Sequence, residues 1–335
     1  MLYFLLLSGI GILGCQAWDY DAYLEGPCTY DANYCTWTDF VTASSAADNQ
    51  WVGVTYGNGL FVAVAQSSTV ANERVMTSPD AITWTIRSNP VDNTWLDVAY
   101  GNGLFVAVAN GGTTGTYIMT SPDGITWTIR SNPVDNQWGS VTYGNGLFVA
   151  VAYAGTAGTY IMTSPDGFTW TTRSYPVDNA WRSVTYGNGL FVAVASTGTT
   201  DRVMTSSDGL TWTSRTSAAD ISWWGVTYGN GLFVAVAIDG IGNGVMTSPD
   251  GITWTTRTSA VDNQWNGVAY GNGLFVAVAG SGTGDRAMSS RDGITWRIRP
   301  SATDNQWIGV TYGNGLFVAV AGTGTGDGVM YAKWQ

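Results

Sequence analysis

Histidine is missing from all 335 residues, and charge is scarce, with 13 basic and 24 acidic side chains making up 11% of the chain. Without imidazole, histidine-based acid–base catalysis is excluded. The only glutamates are Glu25 and Glu73, whereas glycoside hydrolysis generally needs two carboxyl groups on opposite sides of the scissile bond, one with a raised pKa. The net charge of −11 repels phosphate backbones and anionic lipid, so nucleic acid is not an expected partner. Cysteine is as sparse, with three residues, Cys15, Cys28 and Cys35. Too few thiols and no imidazole leave a metal site incomplete, so neither metal nor cofactor is expected.

What the chain does have is repetition. The unit Trp-x-x-Val-x-Tyr-Gly-Asn-Gly-Leu-Phe-Val-Ala-Val-Ala recurs with its tyrosine at Tyr56, Tyr100, Tyr143, Tyr186, Tyr228, Tyr270 and Tyr312, a spacing of 42 to 44 residues. A period of that length filled with short β-rich runs signals a propeller or array. Four strand-like runs follow one another in each unit. In the second they are 95–100, 104–109, 117–121 and 125–130, termed a, b, c and d. Gly101-Asn102-Gly103 suits a tight a–b hairpin, because Gly and Asn tolerate positive φ at little cost. Strand b, Leu-Phe-Val-Ala-Val-Ala, is apolar on both faces, as a strand sandwiched between neighbours must be. Between c and d lies Ser121-Pro122-Asp123-Gly124-Ile125-Thr126-Trp127, recurring around Asp80, Asp166, Asp208, Asp250 and Asp292, with Ala81 in place of glycine in the first unit. Its Asp is suited to bonding backbone amides two residues on, and its Trp supplies an apolar plate between blades.

These seven-residue stretches resemble the Asp-box (BNR) repeat of sialidases, related glycosidases and non-catalytic propellers. The resemblance covers about 300 residues and implies an all-β fold in which the box is a structural turn. Sialidases of that family use an arginine triad and a tyrosine paired with a glutamate. Here Arg87, Arg130, Arg173, Arg215, Arg257 and Arg299 all recur on strand d, the outermost, and only Arg182 falls on an inner strand, so the chain is expected not to be an enzyme.

The two ends of the chain fit one another. Thr36-Trp37-Thr38 matches the Trp-Thr of strand d with no a, b or c run before it, and the last unit stops at Val329-Met330-Tyr331 without an Asp-box. An N-terminal strand completing the last blade gives a seven-bladed β-propeller of four-stranded antiparallel blades over residues 34–335, closed without a free sheet edge. Ahead of it, residues 2–13 form an apolar run of 12, too short to span a bilayer as a helix and the length of a signal-peptide core. The run ends Ile12-Leu13-Gly14-Cys15, which resembles the bacterial lipobox, although no Lys or Arg precedes it. That resemblance implies a signal peptide over 1–14 and lipidation of Cys15, with plain secretion as the alternative. An acidic linker spans 15–33, and Cys28 within it and Cys35 just beyond it form an even pair able to close a small disulfide loop in an oxidising compartment.

Differences between copies mark positions free of the common structural duty. In a blade the d–a and b–c links share one face of the ring, and variation concentrates there. The residue after the first Trp of strand a runs Val52, Leu96, Gly139, Arg182, Trp224, Asn266, Ile308. The residue opening the b–c link runs Gln66, Asn110, Tyr153, Ser196, Ile238, Gly280, Gly322. Adjacent blades thus bring Arg182, Trp224 and Asn266 side by side near the mouth of the central channel, with Tyr153 one blade away. An aromatic plate beside a guanidinium and an amide suits a sugar or small polar ligand, while drift after duplication, with Trp224 filling the channel, explains the same residues without a site. On the same face Asp48, Asp92, Asp135, Asp178, Asp262 and Asp304 each precede an Asn. They are either multivalent contacts or turns. The expected function is an exported, surface-tethered propeller that binds a glycan or an extracellular protein and meets membrane only through its lipid. A self-assembling surface subunit and a sialidase-like hydrolase are the alternatives.

Overall fold

Strand a of each blade turns its Trp, Val and Tyr alike toward the preceding blade, where strand b and the hairpin glycine receive them, and this repeated docking shapes the ring. A computed structural model describes residues 38–334, so the expected signal peptide over 1–14, the linker with Cys15 and Cys28, and also Cys35 and Trp37 lie outside the described residues. The described residues form seven four-stranded antiparallel sheets arranged as a seven-bladed β-propeller. Blade 2 is typical, with strand a at Trp95–Gly101, b at Leu104–Ala109, c at Ile118–Ser121 and d at Thr128–Arg130. Strand b is buried along its whole length, because both of its faces meet apolar side chains of adjoining blades. No helix among the described residues is long and apolar enough to cross a membrane.

The a–b hairpin refines the sequence expectation. Asn102 and Gly103 are the positive-φ pair, at 50° and 76°, whereas Gly101 serves a different purpose. A Cβ on Gly101 would lie 2.0 Å from Cγ of Tyr143 in the next blade. The same approach recurs at Gly57, Gly144, Gly187, Gly229 and Gly271, and at Gly313 against Tyr56, so it runs right round the ring. Each tyrosine also leans on the Phe of its own strand b, as Tyr100 does on Phe105 with centroids 4.6 Å apart.

The c–d turn is held by one carboxylate. Asp123 Oδ1 accepts from the N–H groups of Ile125 and Thr126, both at 2.8 Å, and from Ser121 Oγ at 2.9 Å. Trp127 Nε1 donates to Gly124 O at 3.1 Å, which turns its ring into the gap between blades. In Asp80, Asp123, Asp166, Asp208 and Asp250 the N–H of the threonine three residues on is the largest cause holding the carboxyl below the usual carboxylate range. Ala81 adopts the same left-handed conformation, φ 64°, without being glycine.

Closure follows the expected plan with one change of register. Val41–Ala43 pairs antiparallel with Val329–Lys333 and completes blade 7. Val41 pairs with Tyr331 as Thr85 pairs with Thr77 in blade 1, so the residue in the place of Trp84 is Phe40, buried like it, and not Trp37. The tryptophan match in the sequence is three residues early, and burial rather than identity decides which aromatic fills the slot. Trp334 stands where the other blades carry their Asp turn and ties back to blade 6, its Nε1 donating to Asn272 O at 2.9 Å.

Two measurements test this account. Gly187→Ala, which puts a methyl 2.0 Å from Cγ of Tyr228, is expected to cost about 1–3 kcal/mol by overpacking in urea unfolding. Gly189→Ala, with nothing within 4 Å but φ at 76°, is expected to cost about 1 kcal/mol. The acid limb reports the Asp turns. Carboxyls lowered in the folded state contribute stability above their unfolded pKa of about 3.9, lost as pH falls through the folded values. The urea midpoint is therefore expected to drop below about pH 4, and Asp123→Ala to make that drop shallower. An unchanged slope would remove this role.

Candidate functional site

The links on the variable face are built first by hydrogen bonds that the sequence left ambiguous. Asp92 Oδ1 accepts from Asn72 N in the b–c link of the preceding blade at 2.8 Å, and Asn93 Nδ2 donates to Thr116 O in the b–c link of its own blade at 2.7 Å. Asp48, Asp135, Asp178, Asp262 and Asp304 make the first of these contacts at 2.6 to 3.4 Å. Each d–a loop thus staples two blades, and the Asp-Asn pairs are joints rather than simple turns. The contact from Gly326 N to Asp48 joins blade 7 to blade 1.

Strand a begins with a β-bulge. Trp181 pairs with Ala195 and Ser183 with Val194, leaving Arg182 unpaired between them, and the shift recurs in all seven blades. A bulge re-aims a side chain. Here Trp181 and Val184 point into the inter-blade core while the extra residue faces the channel. The variable series Val52 to Ile308 is this bulge position, which explains why it tolerates anything from glycine to tryptophan.

Those side chains and the openings of the b–c links surround a cavity of about 400 Å³ at the channel mouth, lined by Tyr153, Arg182, Trp224 and Asn266 among others. Arg182 lies between rings contributed by the two flanking blades. Its Cζ is 4.0 Å from the centroid of Tyr153 and 4.3 Å from that of Trp224, contacts worth about 1–2 kcal/mol where water is partly excluded. Nε donates to Ser196 Oγ at 3.0 Å, and Asn110 Nδ2 donates to the Tyr153 hydroxyl. Burial presses the guanidinium below its ordinary pKa, though it stays charged at any physiological pH. Gly139 gives Tyr153 its place, since a Cβ there would lie 3.0 Å from the ring. Asn266 behaves differently from expectation. Its Nδ2 donates to Trp307 O at 2.8 Å, so the amide braces the next blade. The six strand-d arginines are on the outer strand as expected, and Arg130 Nε, for example, donates to Thr120 Oγ1 at 2.9 Å.

One layer below, the channel narrows to a space of about 220 Å³ bordered by Gly53, Asp97, Ser140, Ser183, Gly225, Gly267 and Gly309. At the four glycines a Cβ would lie 2.5 to 2.9 Å from a carbonyl oxygen of the next blade. In blades 2 to 4 a polar side chain makes the joint instead. Val141 N donates to Asp97 Oδ2 at 2.9 Å, Val184 N to Ser140 Oγ at 3.3 Å and Val226 N to Ser183 Oγ at 3.2 Å. Burial pushes the Asp97 carboxyl up to about 6, against the N–H of Val141 and the hydroxyl of Ser140, which favour the charged form. In the sequence Asp97 stands out only as a carboxylate outside the repeated turns, and Gln264 and Gln306, which also line the mouth, differ from their counterparts Thr94, Ala180 and Ser222.

No protein-family model matches the chain, nor does any curated protein sequence. Solved structures do. The chain is similar to selenomethionine-substituted virginiamycin B lyase from Staphylococcus aureus, with TM-score 0.74 and 12% identity over 89% of this chain and 99% of that one. It is also similar to YCF48 from Cyanidioschyzon merolae, TM-score 0.65 and 15% identity over 88% and 99%, and to YCF48 bound to D1 peptide, TM-score 0.66 and 14% identity over 90% and 98%. Likeness at this identity concerns the fold alone. It also corrects the expectation that the chain is not an enzyme, because a lyase is built on this same fold. Missing carboxylate pairs speak against two-carboxyl hydrolysis only, and a channel carboxyl near neutrality such as Asp97 is a group able to exchange a proton.

Asp97 yields a signed prediction. Its folded pKa lies above its unfolded value, so its favourable contribution is complete below about pH 4 and is lost as pH rises through about 6. Asp97→Ser, which installs the joint already used by blades 3 and 4, is expected to remove this dependence. The variant should exceed the parent at pH 8 by on the order of 2 kcal/mol and match it near pH 4 in urea melts. Parallel curves from pH 4 to 8 would show that Asp97 does not titrate there.

Proposed function

We propose that the chain is an exported binding propeller, tethered by lipid at Cys15, that takes a glycan or an extracellular protein at the mouth of its channel. The observation that carries this reading is the concentration of the chain's internal differences around one cavity of about 400 Å³, whereas the opposite face repeats its turns almost unchanged. Half-buried Trp224 offers an aromatic edge, and Gln66, Asn110, Gln264 and Gln306 add amides around it. Apolar plates interspersed with amides match the alternating C–H faces and hydroxyl groups of a sugar. The Asp turns at Asp80, Asp123, Asp166, Asp208, Asp250 and Asp292 support the Asp-box resemblance, and that resemblance includes non-catalytic propellers. One relative in fold is described bound to a peptide and others are lyases, so bound candidates deserve to be followed for turnover as well as for affinity.

A glycan array probed with the folded ring, followed by titration of each hit, tests this. Trp224→Ala is expected to weaken binding at least ten-fold with the melting temperature little changed, since Trp224 is not among the fully buried side chains. An array without hits, or hits indifferent to Trp224→Ala, would count against the mouth as the binding site. Extraction with membranes of a bacterial expression host, abolished by Cys15→Ala, is the expected result for the tether.

A further inference from the structure

The mouth has a chemical bias that the repeat does not. Among the residues lining its cavity, Arg182 is the only charged one, in a chain whose net charge is −11. Among the described residues the three ion pairs present, Arg74 with Asp92, Arg202 with Asp220 and Arg286 with Asp304, all lie in the links, and none involves Arg182. Its side chain makes one hydrogen bond, from Nε to Ser196 Oγ. A partly desolvated cation normally sits beside a carboxylate. Here its surroundings are two aromatic rings, from Tyr153 and Trp224, which stabilise the charge without occupying its N–H groups.

We propose that Arg182 is the docking point for an oxyanion, and that the mouth takes an acidic saccharide through its carboxylate. This rests on the binding reading above. Four of the five guanidinium N–H bonds, those on the two terminal nitrogens, have no acceptor among the described residues, and a planar carboxylate takes two such bonds side by side. Tyr153 and Trp224 are positioning residues. Flanked by them, and fixed at Nε by Ser196, the guanidinium loses little rotamer freedom when a ligand arrives. The amides around the cavity then meet the sugar hydroxyls. A sulfate ester shares the oxyanion chemistry but not the planar two-oxygen edge, so the two are separable by experiment.

The test uses calorimetric titration of the folded ring with oligogalacturonate, its methyl ester and a sulfated galactan oligosaccharide of similar length. The acid is expected to bind at least ten-fold more tightly than its ester, and to weaken as salt rises from about 50 to 500 mM while the ester does not. Arg182→Gln should bring the acid down to the ester's affinity, and Arg182→Lys, which keeps the charge but not the fork, should recover only part of the difference. Tyr153→Leu should weaken the acid and leave the ester unchanged. Should Arg182→Gln fail to fold, the acid-to-ester ratio and its salt dependence in the parent protein decide. Equal, salt-independent affinity for acid and ester, reduced by Trp224→Ala, would overturn the oxyanion assignment while the binding reading stands. A sulfated probe that binds more tightly than the acid would overturn the carboxylate assignment. No binding of any of the three, with other array hits lost in Trp224→Ala, would overturn it too, and an empty array would remove both readings together.

Discussion

A tyrosine ring lying on a bare glycine backbone, seven times around a circle, is the contact on which this molecule depends. Each Tyr-Gly-Asn-Gly segment contributes to two such contacts, its tyrosine covering the glycine of the preceding blade and its own first glycine lying beneath the tyrosine of the next. Because that approach leaves no room for a methyl group, it fixes how near adjacent a strands come at the lower end of the channel. The last contact, Gly313 under Tyr56, is also the one that closes the ring, so the same geometry serves repetition and closure. The Asp joints on the opposite face work in parallel, and between the two sets of contacts lies a fully buried layer of Trp, Phe and Val.

With both faces latched, the intervening strand residues are committed to the core. The bulge after the first Trp is the exception. Its residue lacks a ladder partner and points to the channel, so substitution there disturbs neither latch. A scaffold with this property can hold a different side chain in each blade at little cost to stability.

The period and the four runs per unit made the blades legible, since spacing and apolar patterning are local. The termini likewise pointed to closure because an unmatched strand at one end needs an unmatched blade at the other. Three things were not legible. Phe40 takes the place expected for Trp37 because strand register depends on backbone pairing, and a motif match of two residues says little about it. The first glycine of the hairpin looks like a turn residue, yet its reason lies in a different blade. The titration of Asp97 comes from burial in a channel whose width no single repeat reveals. For the candidate site, comparing copies picked out residues that line one cavity, but not how each of them is held. Asn266 braces a backbone carbonyl, while Arg182 is flanked by aromatics in a way that needed the bulge to be seen.

Whether the mouth is a site or the residue of drift after duplication turns on how its differences relate to one another. Independent drift scatters substitutions without regard to their neighbours. At blades 2 to 5 the departures depend on each other. Gly139 vacates the volume that the Tyr153 ring occupies, Asn110 donates to the Tyr153 hydroxyl, Ser196 receives Nε of Arg182, and Trp224 covers the guanidinium from the next blade. Beneath them, Asp97, Ser140 and Ser183 replace the close glycine joint on the same arc of the ring, while blades 1, 5, 6 and 7 keep it. A desolvated arginine without an acidic partner is costly unless its environment compensates, and the compensation here comes from Tyr153 and Trp224 on the two flanking blades and from Ser196 on its own. Mutual dependence of that kind is what selection on a common property produces, and the feature these residues share is a positive charge set in the wall of the channel mouth of an acidic protein.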